Sequence, residues 1–428
     1  MIHRLIYELG VSLRNPFLKS HYKFLLESDK WSLEQLQEYQ FSKLKELLQF
    51  AYQYSSFYKE EFDRVGFNPK SFNSMEDYKR IPIISKQDLL AHKDEVLSNY
   101  QFKKIIMSET SGTSGATLKF YRNIEWDSAA RAALWRGYHW YGVRPWDKNG
   151  YFWGYNIDPK KVRVTKILDW LQNRFRVFSY YESDIRQFAE KLKNNTTYIG
   201  GYSSMIYETA KIVNKLGIGD DIHLKLIRGT SEKIYESYQE EVQKAFGRRI
   251  TSQYGSAESG CIAFECPCGN MHIAMENVVV EVVDGEIVVT NLYSHAFPII
   301  RYKLGDSVKL ADEGFKCKCG RAHPVITDIL GRVGKKIIGK QSSYPSLTLY
   351  YLFKNLGLTK NITLNYQAIQ NEKGKITLKI EQNEPQYQPD LEIEIEKYFH
   401  GDVDFDIQWG QKLHSHQGKL KDFITTLE

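Results

Sequence analysis

The segment Ser108-Glu-Thr-Ser-Gly-Thr-Ser-Gly115 is dense in Gly, Ser and Thr and directly follows an apolar stretch at 105–107 that reads as a strand. Backbone amides of such a loop converge on phosphate oxygens, and the hydroxyls add donors. The segment is not a Walker loop, because no Gly-Lys-Ser/Thr follows at the required offset, and it is not a dinucleotide fingerprint. A plain surface turn is the competing reading. A second group is made of Cys266-Pro-Cys268-Gly-Asn-Met-His272 and Cys317-Lys-Cys319-Gly320. Two Cys-x-Cys-Gly turns and a histidine supply more than four soft ligands, which suits tetrahedral Zn²⁺ with a Cys₃His or Cys₄ set. With three or four thiolates and no open position, that centre reads as structural. Buried free cysteines are the alternative, and Cys261 reads as one of them. His323 reads as a surface or capping residue.

These groups need elements to hold them. Residues 31–62 carry helical periodicity, with Leu33, Leu36, Tyr39, Leu44, Leu47 and Leu48 at spacings of three and four. Ser32, with Gln35 three residues on, predicts a capped start. Ser85 is placed to cap a further helix. From about residue 105 to 300, short apolar strands alternate with helical stretches at 126–141, 183–194, 203–216 and 232–246, which predicts an α/β fold. Ser231 and Ser203 sit where caps of two of these helices would fall. Val278–Val283 and Glu286–Thr290 flank Asp284-Gly285, the signature of a β-hairpin. More strands are expected at 297–330, then a mixed pattern with a strand at 376–380 and a helix near 390–399. The predicted architecture is α/β, with a large N-terminal domain that includes a β subdomain (1–333) and a small α+β C-terminal lid domain (334–428). A zinc-clipped β region at about 261–323 lies within the first.

With 428 residues the chain is too long for one ordinary core, which fits that division. Its net charge of +6 is modest, and Lys and Arg are interspersed with Asp and Glu, so a nucleic-acid partner is not expected. No uninterrupted apolar run approaches the ~20 residues that span a bilayer. The N-terminus lacks a secretory signal's apolar centre and small-residue cleavage site. Five cysteines, an odd number, argue against a disulfide framework. Together these give an expectation of a cytoplasmic protein. The amphipathic segment 1–26 is expected to pack on its own domain, with peripheral membrane association as the alternative.

The motifs, taken in order along nearly the whole chain, resemble the adenylate-forming superfamily of acyl-CoA synthetases and related ligases. Within it they look like the phenylacetate–CoA ligase branch and its capsule-biosynthesis relatives. His21-Tyr-Lys-Phe-Leu-Leu, Phe57-Tyr58-Lys59 and Pro82-Ile-Ile-Ser-Lys86 carry the branch resemblance. The family's nucleotide motifs match the loop residues Ser108, Thr110, Ser111, Gly112, Thr113, Ser114 and Gly115. They also match Gly229-Thr-Ser231-Glu232, where adenine and ribose are lined, and Gln253-Tyr254-Gly255-Ser256-Ala257-Glu258. The resemblance implies that Tyr254 stacks on adenine and that Glu258 ligates Mg²⁺ near the α-phosphate. Asp306, in Ile300-Arg-Tyr-Lys-Leu-Gly-Asp306, matches the residue that takes the ribose hydroxyls. Arg332 matches an arginine that reaches the nucleotide, and Lys335 falls at the hinge position, commonly Asp in the family. Lys419, after Gly418, matches the lysine that neutralises charge during adenylation, although its surroundings depart from the usual Pro-containing stretch. The branch's metal set maps onto Cys266, His272, Cys317 and Cys319, with Cys268 a spare or substitute ligand. Tyr198-Ile-Gly-Gly-Tyr-Ser-Ser204 and Trp153, Gly154 and Tyr155 are candidates for the acid pocket.

The function so implied is ATP-dependent activation of a small carboxylic acid as acyl-AMP with pyrophosphate release. Catalysis would rest on Lys419, Glu258 and Arg332, with ATP/AMP, Mg²⁺ and a structural Zn²⁺ bound. The acyl group would then pass to an amine or hydroxyl of a sugar or polysaccharide precursor, in surface (capsule or O-antigen) polysaccharide biosynthesis. CoA as the acceptor is the alternative. An inactive zinc-containing binding protein is the third reading, against which Glu258, Asp306 and Lys419 stand. The acid, the acceptor and the oligomeric state are left open by the sequence.

Overall fold

The computed structural model describes all residues except 1, 111–116, 153–158, 178–181, 232–233, 235, 330–335, 361, 363, 365, 414, 417–418, 421–422 and 428. The chain opens with α1 (Ile2–Arg14), α2 (Leu18–Ser28), α3 (Leu33–Tyr54) and α4 (Ser56–Arg64). Ser32 caps α3 in a full capping box with Gln35, as its spacing predicts. The helical stretch expected across 31–62 is two helices. Ser55 adopts an extended backbone and its hydroxyl accepts from the Tyr58 N–H, so a new helix starts there. Three short helices follow, α5 (Met75–Lys79), α6 (Lys86–Ala91) and α7 (Lys93–Val96), and Ser85 caps α6.

A two-stranded antiparallel ribbon, β1 (Ile105–Glu109) with β2 (Lys119–Asn123), leads into α8 (Ile124–Trp140). The alternating segment then runs β3 (Asn149–Phe152), α9 (Pro159–Leu171), β4 (Arg174–Arg176), α10 (Glu182–Leu192), β5 (Tyr198–Tyr202), α11 (Ser203–Leu216), β6 (Leu226–Thr230), α12 (Glu236–Phe246) and β7 (Thr251–Ser256). Two predicted caps are corrected. Ser231 has φ 69°, outside the extended region a cap needs, and α12 begins only at Glu236. Ser203 is the first residue inside α11, after Tyr202, and its buried hydroxyl caps nothing.

β8 (Gly260–Glu265), β9 (Met271–Ile273), β10 (Val278–Val283), β11 (Glu286–Asn291), β12 (Tyr302–Leu310) and β13 (Val325–Ile329) complete one eleven-stranded sheet, in the order β10-β11-β12-β13-β9-β8-β7-β6-β5-β3-β4. The pairs β4-β3, β3-β5, β5-β6 and β6-β7 are parallel; the rest of the sheet is antiparallel. The β10–β11 hairpin turns on Asp284 and Gly285, both at positive φ, which is the conformation the Asp-Gly pair predicts. The largest core lies between this sheet and α3, α4 and α8. There Trp126 stacks on Phe120 with ring centroids 5.5 Å apart. Burying side chains of that size stabilises by about 2 kcal/mol each.

The smaller C-terminal domain holds β14 (Lys336–Ile338), β15 (Ser343–Pro345), α13 (Leu347–Lys360), β16 (Tyr366–Glu372), β17 (Lys375–Ile380), α14 (Gln388–Phe399), β18 (Asp404–Gln408), β19 (Ser415–His416), β20 (Lys419–Leu420) and β21 (Phe423–Thr425). Its four-stranded sheet has the order β18-β17-β16-β21 and carries its own apolar core, built on Leu352, Leu378, Leu391 and Phe399. The boundary expected near 333–336 falls mostly on residues outside those described.

Candidate active site and metal centre

Open parallel sheets bind ligands beyond the carboxyl ends of their strands, where side chains from several strands converge. Three of the sequence motifs meet that condition here. Gly201 and Tyr202 close β5, Gly229 and Thr230 close β6, and Tyr254, Gly255 and Ser256 close β7, with Ala257 and Glu258 next. Trp153, Gly154 and Tyr155 follow β3 but lie outside the described residues.

Glu258 is buried. The Tyr302 hydroxyl donates to its Oε1 at 3.0 Å, and Asn291 Nδ2 donates to its backbone oxygen at 3.2 Å, so its carboxylate is held in one orientation. A hard oxygen donor of this kind suits Mg²⁺. Arg122 lies close enough to Glu258 for charge interaction, and burial lowers the pKa of its guanidinium. The Tyr254 hydroxyl donates to Asp306 Oδ2 at 2.8 Å, joining two residues 52 positions apart. Ser256 Oγ accepts from the Ser259 N–H at 3.0 Å, which shapes the turn that carries Ala257 and Glu258.

In the loop, Ser108 lies on β1 opposite Phe120. Thr110 is buried, its N–H bonds the Leu118 oxygen at 3.0 Å and its Oγ1 accepts from the Leu118 N–H at 3.1 Å, which closes the loop's two ends on each other. Ser111, Gly112, Thr113, Ser114 and Gly115 lie outside the described residues, as do Glu232, Arg332 and Lys335. Ser231 is exposed beside β6. Lys419 lies on β20, paired with His416 of β19. Sequence reasoning passed over Tyr302, Arg228 and Asn291. Arg228 Nη1 donates to Gln253 Oε1 at 3.0 Å, beside Tyr254. Tyr302 lies inside the quoted motif at 300–306, and Arg228 directly precedes Gly229, so position next to a motif was the available signal.

The cysteine turns do converge. One ligand atom each from Cys266, His272, Cys317 and Cys319 lies within 4.8 Å of all the others. Cys266 Sγ is 3.7 Å from Cys317 Sγ, and His272 Nε2 is 3.2 Å from Cys319 Sγ. Tetrahedral zinc with its usual bond lengths sets ligands about 3.3–3.8 Å apart, so these residues fit that ion. His272 Nδ1 bonds the His323 carbonyl oxygen at 2.9 Å, which turns Nε2 toward the thiols. Burial pushes the pKa of His272 down to about 4, so the ring is neutral and its Nε2 lone pair is available. Asn270 Nδ2 and the Cys319 N–H donate to Cys317 Sγ at 3.3 and 3.5 Å. Gly269 and Gly320 have φ of 78° and 82°, and open space surrounds each, so backbone conformation alone demands glycine there. Cys268 is exposed and stands outside the cluster, and Cys261 is buried with its thiol pushed up to about 11 by desolvation.

His323 is corrected from surface residue to core. Its Nε2 is 2.9 Å from Glu276 Oε1, which also accepts from Arg136 Nη1 at 2.7 Å and from the Ser28 hydroxyl. Trp140 Nε1 donates to Asp29 Oδ2 at 2.7 Å, and Arg321 lies over the Trp140 ring. This cluster ties α2 and α8 to the strand that carries His272.

No family model matches the chain. It is similar to Protein CapK of Staphylococcus aureus, with 24% identity covering 97% of this chain and 95% of that protein. It is similar to a phenylacetate-coenzyme A ligase of Thermus thermophilus, with 25% identity over 82% of each. Among solved structures it resembles a 2-hydroxyisobutyryl-CoA ligase in complex with 2-HIB-AMP and CoA in its thioesterification state, at TM-score 0.66, 16% identity and coverage of 93% and 91%. The postadenylation state of that ligase matches at 0.60. In sequence, the chain is thus similar to CapK and to phenylacetate-coenzyme A ligases, and it shares the fold of the AMP-forming 2-hydroxyisobutyryl-CoA ligase.

Proposed function

We propose that this protein uses ATP to convert a small carboxylic acid into its acyl-adenylate. The carboxylate oxygen attacks the α-phosphorus, the bond to the β,γ-phosphates breaks, and pyrophosphate leaves. Carboxylate and phosphate repel, so the protein must supply positive charge and alignment. The observation that carries this reading is the pairing of Tyr254, near the end of β7, and Glu258, just past it, with Asp306 and Tyr302 of β12. In it, Tyr254 and Asp306 hold adenosine, and the Ser108–Gly115 loop holds the phosphates. Glu258 would hold Mg²⁺, whose charge offsets the phosphates when bound. Arg332 and Lys419 complete the site from the C-terminal side, Lys419 as a point charge on the α-phosphate. Cys266, His272, Cys317 and Cys319 would hold a structural zinc ion, which would join the β8–β9 turn to the β12–β13 loop.

In the second step a nucleophile attacks the acyl carbon and AMP leaves. The acceptor we favour is an amine or hydroxyl of a surface-polysaccharide precursor, on the capsule-type character of the N-terminal segments. CoA is the second reading, supported by the resemblance to phenylacetate-coenzyme A ligases. A panel of carboxylic acids with ATP, read by pyrophosphate release and then by mass spectrometry with CoA or amino sugars, separates the two. Lys419→Ala should abolish acid-dependent ATP–pyrophosphate exchange and leave ATP binding largely intact. Normal exchange in that variant would sink the assignment.

A further inference from the structure

α1 and α9 carry their apolar residues on the wrong side for ordinary packing. Tyr7 and Val11 of α1 face the body, packed with Trp135 and Leu18. The opposite stripe, Leu5, Leu9 and Leu13 at spacings of four, faces solvent, with Leu9 64% and Leu13 78% exposed. α9 is inverted more plainly. Val164, Ile167 and Leu168 form one helical stripe, and it points outward together with Trp170; Ile167 is 61% and Trp170 60% exposed. Among the described residues of α9, the buried one is Asp169, which accepts from Arg176 Nε at 2.6 Å and Nη2 at 2.8 Å on β4. That bidentate pair pins the apolar face outward. The two helices adjoin, with the His3 and Trp170 rings edge-on at 5.5 Å.

Exposed apolar faces on two adjoining helices mark an interaction site. Its charged residues select the partner. Arg163 and Lys166 are exposed on α9 beside its apolar stripe. Two acidic residues of these helices are paired: Glu8 lies 2.7 Å from Arg4 and 3.6 Å from Lys19, and Asp169 is held by Arg176. A second copy of the chain docked on this face about a two-fold axis would set one basic rim against another. An apolar stripe with a basic rim and an interfacial Trp matches the region where acyl chains meet anionic headgroups.

We propose that α1 and α9 form a peripheral docking surface for an anionic phospholipid bilayer. The N-terminal segment packs on its own domain through Val11, Leu18 and Leu25, as expected, and its outer face takes up the alternative of peripheral membrane association. The full chain is sedimented with large unilamellar vesicles of phosphatidylcholine containing phosphatidylglycerol, and with vesicles of phosphatidylcholine alone. The expected result is binding to the anionic vesicles that weakens with added salt. Leu9→Glu/Ile167→Glu should lower that binding at least ~tenfold while melting and pyrophosphate release stay as in the wild type. Arg163→Glu/Lys166→Glu should lower it as well. Wild-type protein that stays in the supernatant with anionic vesicles overturns the proposal, as does undiminished binding by either double variant. Self-association through this face without vesicle binding, broken by the same substitutions, overturns it in favour of an interface between copies.

Discussion

Glu276→Gln probes the buried ion cluster behind the proposed zinc site. Glu276 Oε1 lies 2.7 Å from Arg136 Nη1, and the two side chains are 0% and 3% exposed. Removing one member of such a pair costs about 3–5 kcal/mol, because the remaining charge stays desolvated. Asp29 lies 3.6 Å from the same guanidinium nitrogen and keeps part of the compensation, so the expected cost is ~3 kcal/mol, at the low end of that range. At roughly 2–4 °C per kcal/mol for a large domain, the melting midpoint should fall by about 6–12 °C. The pH dependence gives an independent reading. Burial alone would raise the Glu276 carboxyl above its ordinary 4.5, but Arg136, then His323 and Ser28, hold it well below the usual carboxylate range. A depressed folded-state value means that the stabilisation is complete above the unfolded-state value of 4.5 and is lost as the pH falls below it. The gap between wild type and variant should be full near about pH 7 and should shrink toward about pH 3. Differential scanning fluorimetry of metal-loaded protein across that range measures both. An unchanged midpoint at neutral pH, or a gap that stays constant into acid, refutes the reasoning.

The proposed zinc site and nucleotide site give further tests. Cys317→Ser should lose bound zinc and melt at a lower temperature, whereas Cys268→Ser should keep about one zinc per chain by elemental analysis. Equal zinc content in the two variants would remove Cys317 from the ligand set. Tyr254→Phe deletes the hydrogen bond to Asp306, and a bond of that kind contributes about 0.5–1.5 kcal/mol. It should therefore raise the KM for ATP by roughly twofold to tenfold, with kcat little changed; a fall in kcat at constant KM would place Tyr254 in the chemistry instead.

What the sequence determined by itself is local. The capping box of Ser32 with Gln35, the Asp284-Gly285 hairpin and the alternation of strands with helices all depend on residues a few positions apart, and each is present in the fold. The cysteine turns were legible for the same reason, since thiol pairs with glycine after them announce their own turns, while the four-residue set itself came from the resemblance. Where a local rule met a tertiary demand it failed. Ser231 was expected to cap a helix, but its left-handed backbone and the later start of α12 leave it outside that role. His323 carries no local signal of burial; only the packing of α8 brings Arg136 to it, with Glu276. The pairings that shape the candidate site, Tyr254 with Asp306 and Tyr302 with Glu258, connect strands whose adjacency is a property of sheet order, which no short-range pattern encodes. The outward face of α9 belongs to this second class too. No helix was expected from the sequence at 159–171, and which side of α9 faces the protein was decided by Arg176 on β4 binding Asp169.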